Sequence, residues 1–197
     1  MPLEEGNLDE KELVRRSGKG DFLAFQKIVK LYQKRVFSFA YYHLRNRADA
    51  EDLTQELFWR VFSNLGKYNP SKKFFTWLFT LEINLIRNFI REKRPRKEVM
   101  DMDFYENIGF HDQTLLSADD RMALMDIIGQ LPEQDQELIY FKYVDDLSVK
   151  EIAAVYNTSE DNIKVKLFRS REKLKQKIGK LEEWENAPRV LFQGDAE

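Results

Sequence analysis

Rings and fixed cations are the side chains through which this chain could act on another molecule. Between Ser71 and Lys97, SKKFFTWLFTLEINLIRNFIREKRPRK, four aromatics (Phe74, Phe75, Trp77, Phe79) are followed by Arg87, Arg91, Lys93, Arg94, Arg96 and Lys97. The stretch holds eight basic residues against two acidic ones, a local excess of +6. Cations track phosphates and ring faces stack on unpaired bases, so the chemistry on offer is non-covalent capture of nucleic-acid strands. An amphipathic core helix with a solvated end would carry the same letters. Covalent chemistry has weaker candidates. There is no Cys, the two histidines are His43 and His111, and no Gly-rich phosphate loop or metal-spaced cluster occurs. No catalytic residue, metal or cofactor is expected, and the chain does not read as an enzyme. His43 falls on a packed helix face and His111 in a linker.

These residues need helices to position them, and the pattern is helical throughout. Leu8 to Ser17 reads as a short helix ended by Gly18 and Gly20. Asp21 then caps a long helix whose apolar face is Phe22, Phe25, Val29, Tyr32, Val36, Phe39 and His43, at alternating spacings of three and four. Asn46 to Asp49 is a break. A helix from Ala50 to Leu65 follows, with Leu53, Leu57, Val61 and Leu65 in register and an acidic first turn that suits the helix dipole. Gly66–Lys72 is a loop by composition, and the ring-and-cation helix runs from about Lys73 to Lys93, stopped by Pro95.

From Glu98 to Asp120 the sign reverses, with seven acidic residues and no Lys or Arg, which predicts a linker extended by its own repulsion. Helical periodicity then resumes with Met122 to Leu131 and Glu133 to Val144. Ser148 precedes Glu151 by three, a capping box for a short helix. Asn157–Thr158 makes a turn, and Ser159 caps a last helix from Glu160 to about Leu181. That helix and its tail carry eight basic residues from Lys164 to Lys180 against one acid, Glu172. A short helix, a tight turn and a cationic second helix, with Ala153 small enough for a close crossing, form a helix-turn-helix suited to the major groove. No strand alternation appears, so the fold class is all-α: two small helical domains joined by an acidic linker. At 197 residues, 43% hydrophobic and 34% charged, the chain can bury a core, and its net charge of −2 conceals the segregation just described. The first residues, MPLEEGNLDEKELVRRS, hold no apolar signal region, and no run approaches the roughly 18 apolar residues of a membrane span. A cytoplasmic protein is expected.

Four stretches in this order resemble a bacterial RNA polymerase sigma factor of the extracytoplasmic-function (ECF) class: DAEDLTQELFWRVF, FFTWLFTLEINLIRNFIRE, LPEQDQELIYFKYVDDLSVKEIA and DNIKVKLFRSREKL. The resemblance spans about Asp21 to Leu181 and implies a domain plan. Residues 1–95 would form sigma region 2, 96–118 the linker, 119–182 sigma region 4, and 183–197 a tail. In that plan Asp49, Glu51, Asp52, Gln55, Glu56 and Phe58 would face the clamp helices of the polymerase largest subunit. Carboxylates beside an apolar surface suit a basic partner helix. Phe58 and Trp59, outside the leucine stripe, read as an exposed aromatic pair. Lys67, Tyr68, Asn69, Ser71 and Lys72 would hold a flipped minus-ten base, with Phe74 and Trp77 as ring positions. Asn84, Arg87, Asn88 and Arg91 would line the adjacent duplex or non-template strand. Ser159, Asn162, Lys164, Lys166, Arg169 and Arg171 would meet the minus-thirty-five element. Implied partners are core RNA polymerase, including the flap of its second-largest subunit, promoter DNA and an anti-sigma factor.

The match has departures: Glu82 stands where the family has a small residue, Asn88 where Asp is common, Phe75 for a polar residue, Asn157 for Gly and Val165 for Ser. Asn tolerates positive φ, so the turn at Asn157 survives. The run Val190–Gly194, VLFQG, looks like a picornaviral protease site used in expression vectors and is left out of the fold. A free-standing helix-turn-helix regulator is the competing reading. It would leave the Asp49–Phe62 helix and the aromatic segment without a purpose.

Overall fold

The computed structural model describes residues 9–93, 100, 104 and 118–178. The chain divides into two compact units, Met1–Met100 and Asp101–Glu197. Among the described residues there are eight α-helices and no strand. Of the expected linker and tail, only Met100, Phe104 and Ala118 are described, and Met100 and Phe104 are buried.

In the first unit, α1 (Glu10–Ser17), α2 (Phe22–Leu44), α3 (Arg47–Asn64) and α4 (Phe74–Lys93) pack around one core. Asp21 caps α2 as expected: its carboxylate accepts from the Ala24 amide at 3.0 Å and holds Arg16 at 2.6 Å. The α2 stripe is shifted from the expected one. Ile28 is fully buried, whereas Val29 is half-buried and Phe22 is 58% exposed. The step from Phe25 to Ile28 and on to Tyr32 keeps the stripe on the side that meets α3 and α4. Phe22, at the edge, rests edge-on against Phe62 at 6.2 Å. His43 is buried beside Phe39, at 4.5 Å between ring centres. The expected break at 46–49 is shorter. Arg45 takes a left-handed conformation (φ 49°), and Asn46 caps α3 directly by accepting from the Asp49 amide at 2.9 Å.

α4 inserts its ring-rich start into this core. Phe74, Leu78 and Phe79 are fully buried, and Phe75 lies under the Arg35 guanidinium at 4.4 Å. Glu82, the departure noted from sequence, is also fully buried on this core side of the helix. α1 is tied on by Leu13 and Val14, and by the Tyr32 hydroxyl, which donates to Glu10. Burial and then that hydrogen bond push the Tyr32 phenol well above its ordinary pKa, so it is a donor at every working pH.

The second unit contains α5 (Ala118–Gly129), α6 (Glu133–Ile139), α7 (Val149–Val155) and α8 (Glu160–Ile178). A single helix over 133–144 was expected. Instead α6 ends at Ile139 and widens into a π-helical turn over Tyr140–Val144, closed by the Asp145 amide on the Tyr140 carbonyl at 3.0 Å. The wider turn buries Tyr140 and Phe141 together, at 2% and 0% exposure. The Ser148–Glu151 capping box is present at the start of α7, and Asn157 adopts φ 51°. Three side-chain hydrogen bonds clamp α6. The Tyr156 hydroxyl donates to Glu137, and buried Asp135 accepts from the Ser170 hydroxyl and from Lys173 at 2.6 Å.

Asp135 is therefore the polar tie between α6 and α8. Asp135→Ala removes two hydrogen bonds, one of them from an ammonium donor, and is expected to cost the second unit about 2 kcal/mol. Hydrogen exchange of the intact chain should show faster exchange in α8, with α2 amides unchanged.

Candidate nucleic-acid interface

Three surfaces carry the residues singled out from sequence. The first is the outward side of α3. Glu51, Asp52, Gln55 and Glu56 are exposed, and Asp49 is half-buried where Asn46 caps its amide. Glu51 pairs with Arg47 at 3.1 Å, and Glu56 pairs with Arg60 one turn on. Phe58 is not part of an exposed pair. It is 7% exposed and meets Phe25 edge-on at 6.5 Å. The exposed ring is Trp59, at 70%, with Phe62 at 38% one turn further on. One residue along a helix is a rotation of about 100°. That step turns Phe58 into the α2 contact and Trp59 out among the carboxylates.

The second surface is the loop after α3 with the outer stripe of α4. A 3₁₀ turn at Leu65–Lys67 delivers Tyr68, whose ring lies 5.2 Å from Trp77 and 5.7 Å, edge-on, from Phe74. Its hydroxyl donates to the Lys72 carbonyl across the loop. Partial burial raises the Tyr68 phenol pKa, which keeps that donor protonated. Asn69 accepts from the Ser71 amide at 3.0 Å, a local turn that fixes the tip, and Lys67 and Lys72 are exposed. Phe74 is 1% exposed, so it is a floor for the cluster and has no free face, contrary to the sequence expectation of an available ring. Trp77 is half-buried with Tyr68 on one side. Asn84, Asn88 and Arg91 follow Trp77 at intervals of seven, four and three, which places them on one stripe; Arg87 lies beside it. All four are exposed, and Arg91 donates to Asn88 at 3.0 Å.

The third surface is α8. Ser159 accepts from the Asn162 amide at 3.3 Å, and Asn162 in turn donates to Thr158 at 2.8 Å, which fixes the helix start. Lys164 and Arg169 are exposed, while Lys166 and Arg171 are half-buried. Lys164 keeps a loose 3.6 Å contact to Asp161. Sequence reasoning passed over Phe168, which is 58% exposed, one turn from Val165 at 48%. The signal was the absence of either from the stripe Ile163, Leu167, Leu174. Among the described residues, no group of three or more His, Asp or Glu is placed to hold a metal ion. No described helix is long and apolar enough to cross a membrane.

A helical unit with a ring-floored loop and a cationic stripe, and a second with a helix-turn-helix, together define a protein built from sigma-70 modules. Residues 28–96 match the family model for Sigma-70 region 2, and residues 121–174 match that for Sigma-70, region 4. The chain is 30% identical to the ECF RNA polymerase sigma factor SigW of Bacillus subtilis over 85% of its own length and 96% of that protein. It is 28% identical to the ECF RNA polymerase sigma-E factor of Escherichia coli over 87% and 95%. It belongs to the ECF RNA polymerase sigma factors. The fold is similar to that of CnrH, solved in complex with the cytosolic domain of CnrY (TM-score 0.68, 21% identity, 87% of this chain and 97% of that one). It is also similar to RpoE of Bartonella quintana, solved in complex with the anti-sigma factor NepR (TM-score 0.58, 19% identity, 79% and 96%).

The opposite burial of the two α3 rings gives a direct check. Phe58→Ala should cost the first unit about 3 kcal/mol in urea unfolding, because it opens a cavity against Phe25. Trp59→Ala should change stability by less than about 0.5 kcal/mol.

Proposed function

We propose that this chain is the promoter-recognition subunit of RNA polymerase in a bacterial cytoplasm. It docks on the core enzyme through α3, opens the minus-ten element with the loop and α4, and holds the minus-thirty-five element with α8. It carries out no reaction itself; the polymerase makes RNA.

The observation that carries this reading is the single stripe running from the Tyr68–Trp77 ring pair through Asn84 and Asn88 to Arg91. Taking a base out of the stack costs a few kcal/mol. Stacking on a protein ring returns about 1–3 kcal/mol per base, and phosphate contacts further along the stripe supply the remainder. The tip formed by Lys67, Asn69, Ser71 and Lys72 is the seat for the displaced base. Its backbone is already fixed by Tyr68 and the Asn69 turn, which limits the ordering cost on binding.

On α3, Asp49, Glu51, Asp52, Gln55 and Glu56 supply carboxylates and an amide for the clamp helices of the polymerase largest subunit. Trp59 and Phe62 supply the apolar contact, and buried Phe58 acts by seating α3 on α2. In the second unit Ser159 and Asn162 set the helix start, Lys164 and Arg169 hold phosphates or base edges, and Lys166 and Arg171 lie to the side. The flap of the second-largest subunit is the expected neighbour of this unit. An anti-sigma partner, as NepR is in the RpoE complex, would compete for the same surfaces.

Run-off transcription with purified core enzyme tests the whole proposal: this chain should allow initiation on a cognate promoter where core alone does not. Trp77→Ala should lower open-complex formation by about tenfold or more, in line with the loss of one stacking contact. Binding to core should be unchanged, and a promoter with a pre-melted minus-ten bubble should restore much of the loss. Removing two phosphate contacts by Lys164→Ala with Arg169→Ala should lower the slope of log affinity against log salt for holoenzyme on duplex promoter by about 2.

A further inference from the structure

α2 meets the start of α4 along a row of side chains, Tyr32, Arg35 and Phe39, spaced three and four apart. Between ring centres, Tyr32 lies 5.7 Å from Phe74 and 6.2 Å from Phe75, and Phe39 lies 6.0 Å from Phe79. The middle of the row is a half-buried cation. The Arg35 guanidinium stands 4.4 Å from the centre of the Phe75 ring and 5.7 Å from that of Phe79. Those two rings are themselves 4.4 Å apart, so one cation spans two rings one turn apart on α4. Phe75 is one of the departures noted from sequence. The nearer ring face exists because this chain has an aromatic where a polar residue is common.

An apolar side chain in place of Arg35 would fill the same space without direction, since apolar burial is non-directional. A planar guanidinium over a ring face has a preferred position. What needs direction is Trp77. It follows Phe75 by two residues and precedes Phe79 by two, a helical rotation of about 200° from each. The side of α4 that Arg35 holds is therefore opposite the side on which Trp77 stands, and a roll of the helix start moves both. Backbone bonding holds this turn less firmly than the helix interior: first-turn amides lack intrahelical partners, and the Trp77 amide reaches the Lys73 carbonyl at 3.3 Å. We infer that Arg35 is a positioning residue for promoter opening: through Phe75 and Phe79 it sets the roll of the start of α4, and so the direction of the Trp77 ring offered to the opened strand. Its consequence for opening rests on the promoter reading proposed above. The link from Arg35 to Trp77 is a property of the free chain and does not.

That link is read in the intact chain with Trp59→Phe and Trp184→Phe, which leave Trp77 as the single tryptophan. Arg35→Met keeps a side chain of similar reach and removes the cation. Under conditions where the chain is fully folded, it should shift Trp77 emission to the red and raise its quenching by acrylamide. Arg35→Lys, which keeps a cation over the rings, should restore most of the original signal. Phe75→Leu removes the ring and leaves Arg35, should reproduce the Arg35→Met change, and carries the same test were Arg35→Met not to fold. With the native tryptophans in place, Arg35→Met should slow open-complex formation about fivefold, the size of a partly desolvated cation–π contact. Binding to core should be unchanged, and a pre-melted minus-ten bubble should restore much of the loss. Combined with Phe75→Leu, the loss should fall short of the product of the two single losses. Lys34→Met removes the same charge from an exposed position one residue away and should change opening by less than about twofold.

An Arg35→Met chain that is merely less stable, with Trp77 emission and quenching as before, would overturn the inference. So would opening slowed equally by Arg35→Met and Lys34→Met, which marks general attraction to DNA. Opening left unchanged by Arg35→Met, while the unaltered chain transcribes, would overturn it too. Absence of any transcript with the unaltered chain counts against the promoter reading instead, and the Trp77 signal still decides the contact.

Discussion

The first unit depends on rings held against rings. Tyr32, from α2, lies 5.7 Å from Phe74; Phe74 lies 5.7 Å from Tyr68 and 5.8 Å from Trp77; and Tyr68 lies 5.2 Å from Trp77. This chain of contacts joins α2, the loop and the start of α4. The Tyr32 hydroxyl extends it to α1 through Glu10. Ring pairs at these separations add about 0.5–1.5 kcal/mol each beyond the area they bury. More to the point, rings have few torsions, so a loop seated on them stays where it is. A loop that had to be ordered on binding would give up the stacking energy it is meant to supply.

That constraint explains why the ring-rich segment reads two ways in sequence. Phe74 and Phe79 are core, Phe75 is core with a cation over its face, and Trp77 alone has a side left for a partner. A half-buried ring and three buried ones share the start of this helix, and the packed rings fix where Trp77 stands. Further along, Asn84, Arg87, Asn88 and Arg91 are exposed on one side of the helix while Ile83, Leu85 and Ile86 remain buried on the other.

Helix order, the Asp21 cap, the Ser148 box and the Asn157 turn were all legible, because each is decided within a few residues by local hydrogen bonding. What sequence missed is decided by neighbours from elsewhere in the chain. Phe58 and Trp59 are adjacent aromatics with no local reason to differ; Phe25 arriving from α2 buries one and leaves the other. The same holds for Ile28 against Val29, where either keeps helical spacing and the packing of α3 and α4 chooses. The widened turn at Tyr140–Val144 follows from burying two successive rings, a demand of the second core rather than of propensity. The exposure of Lys164 and Arg169 was legible because charge and exposure go together on a helix surface. Lys166 and Arg171 show the limit, since a cation on a helix names a direction only once its neighbours are placed.

The outer side of α3, proposed above as the docking surface, carries exposed charge pairs. Its pairs, Glu51 with Arg47 and Glu56 with Arg60, are exposed contacts of the kind worth about 0–1 kcal/mol. A partner presenting its own cations can displace Arg47 and Arg60 at little cost, so these pairs neutralise the free surface without locking it. Electrostatics of this kind steers and orients more than it binds. Affinity must then come from apolar contact near the centre of the patch, and Trp59, 70% exposed among Asp52, Gln55 and Glu56, is placed to supply it. The carboxylates would set which partner arrives and Trp59 how long it stays, while buried Phe58 keeps the helix that carries them in register with the core.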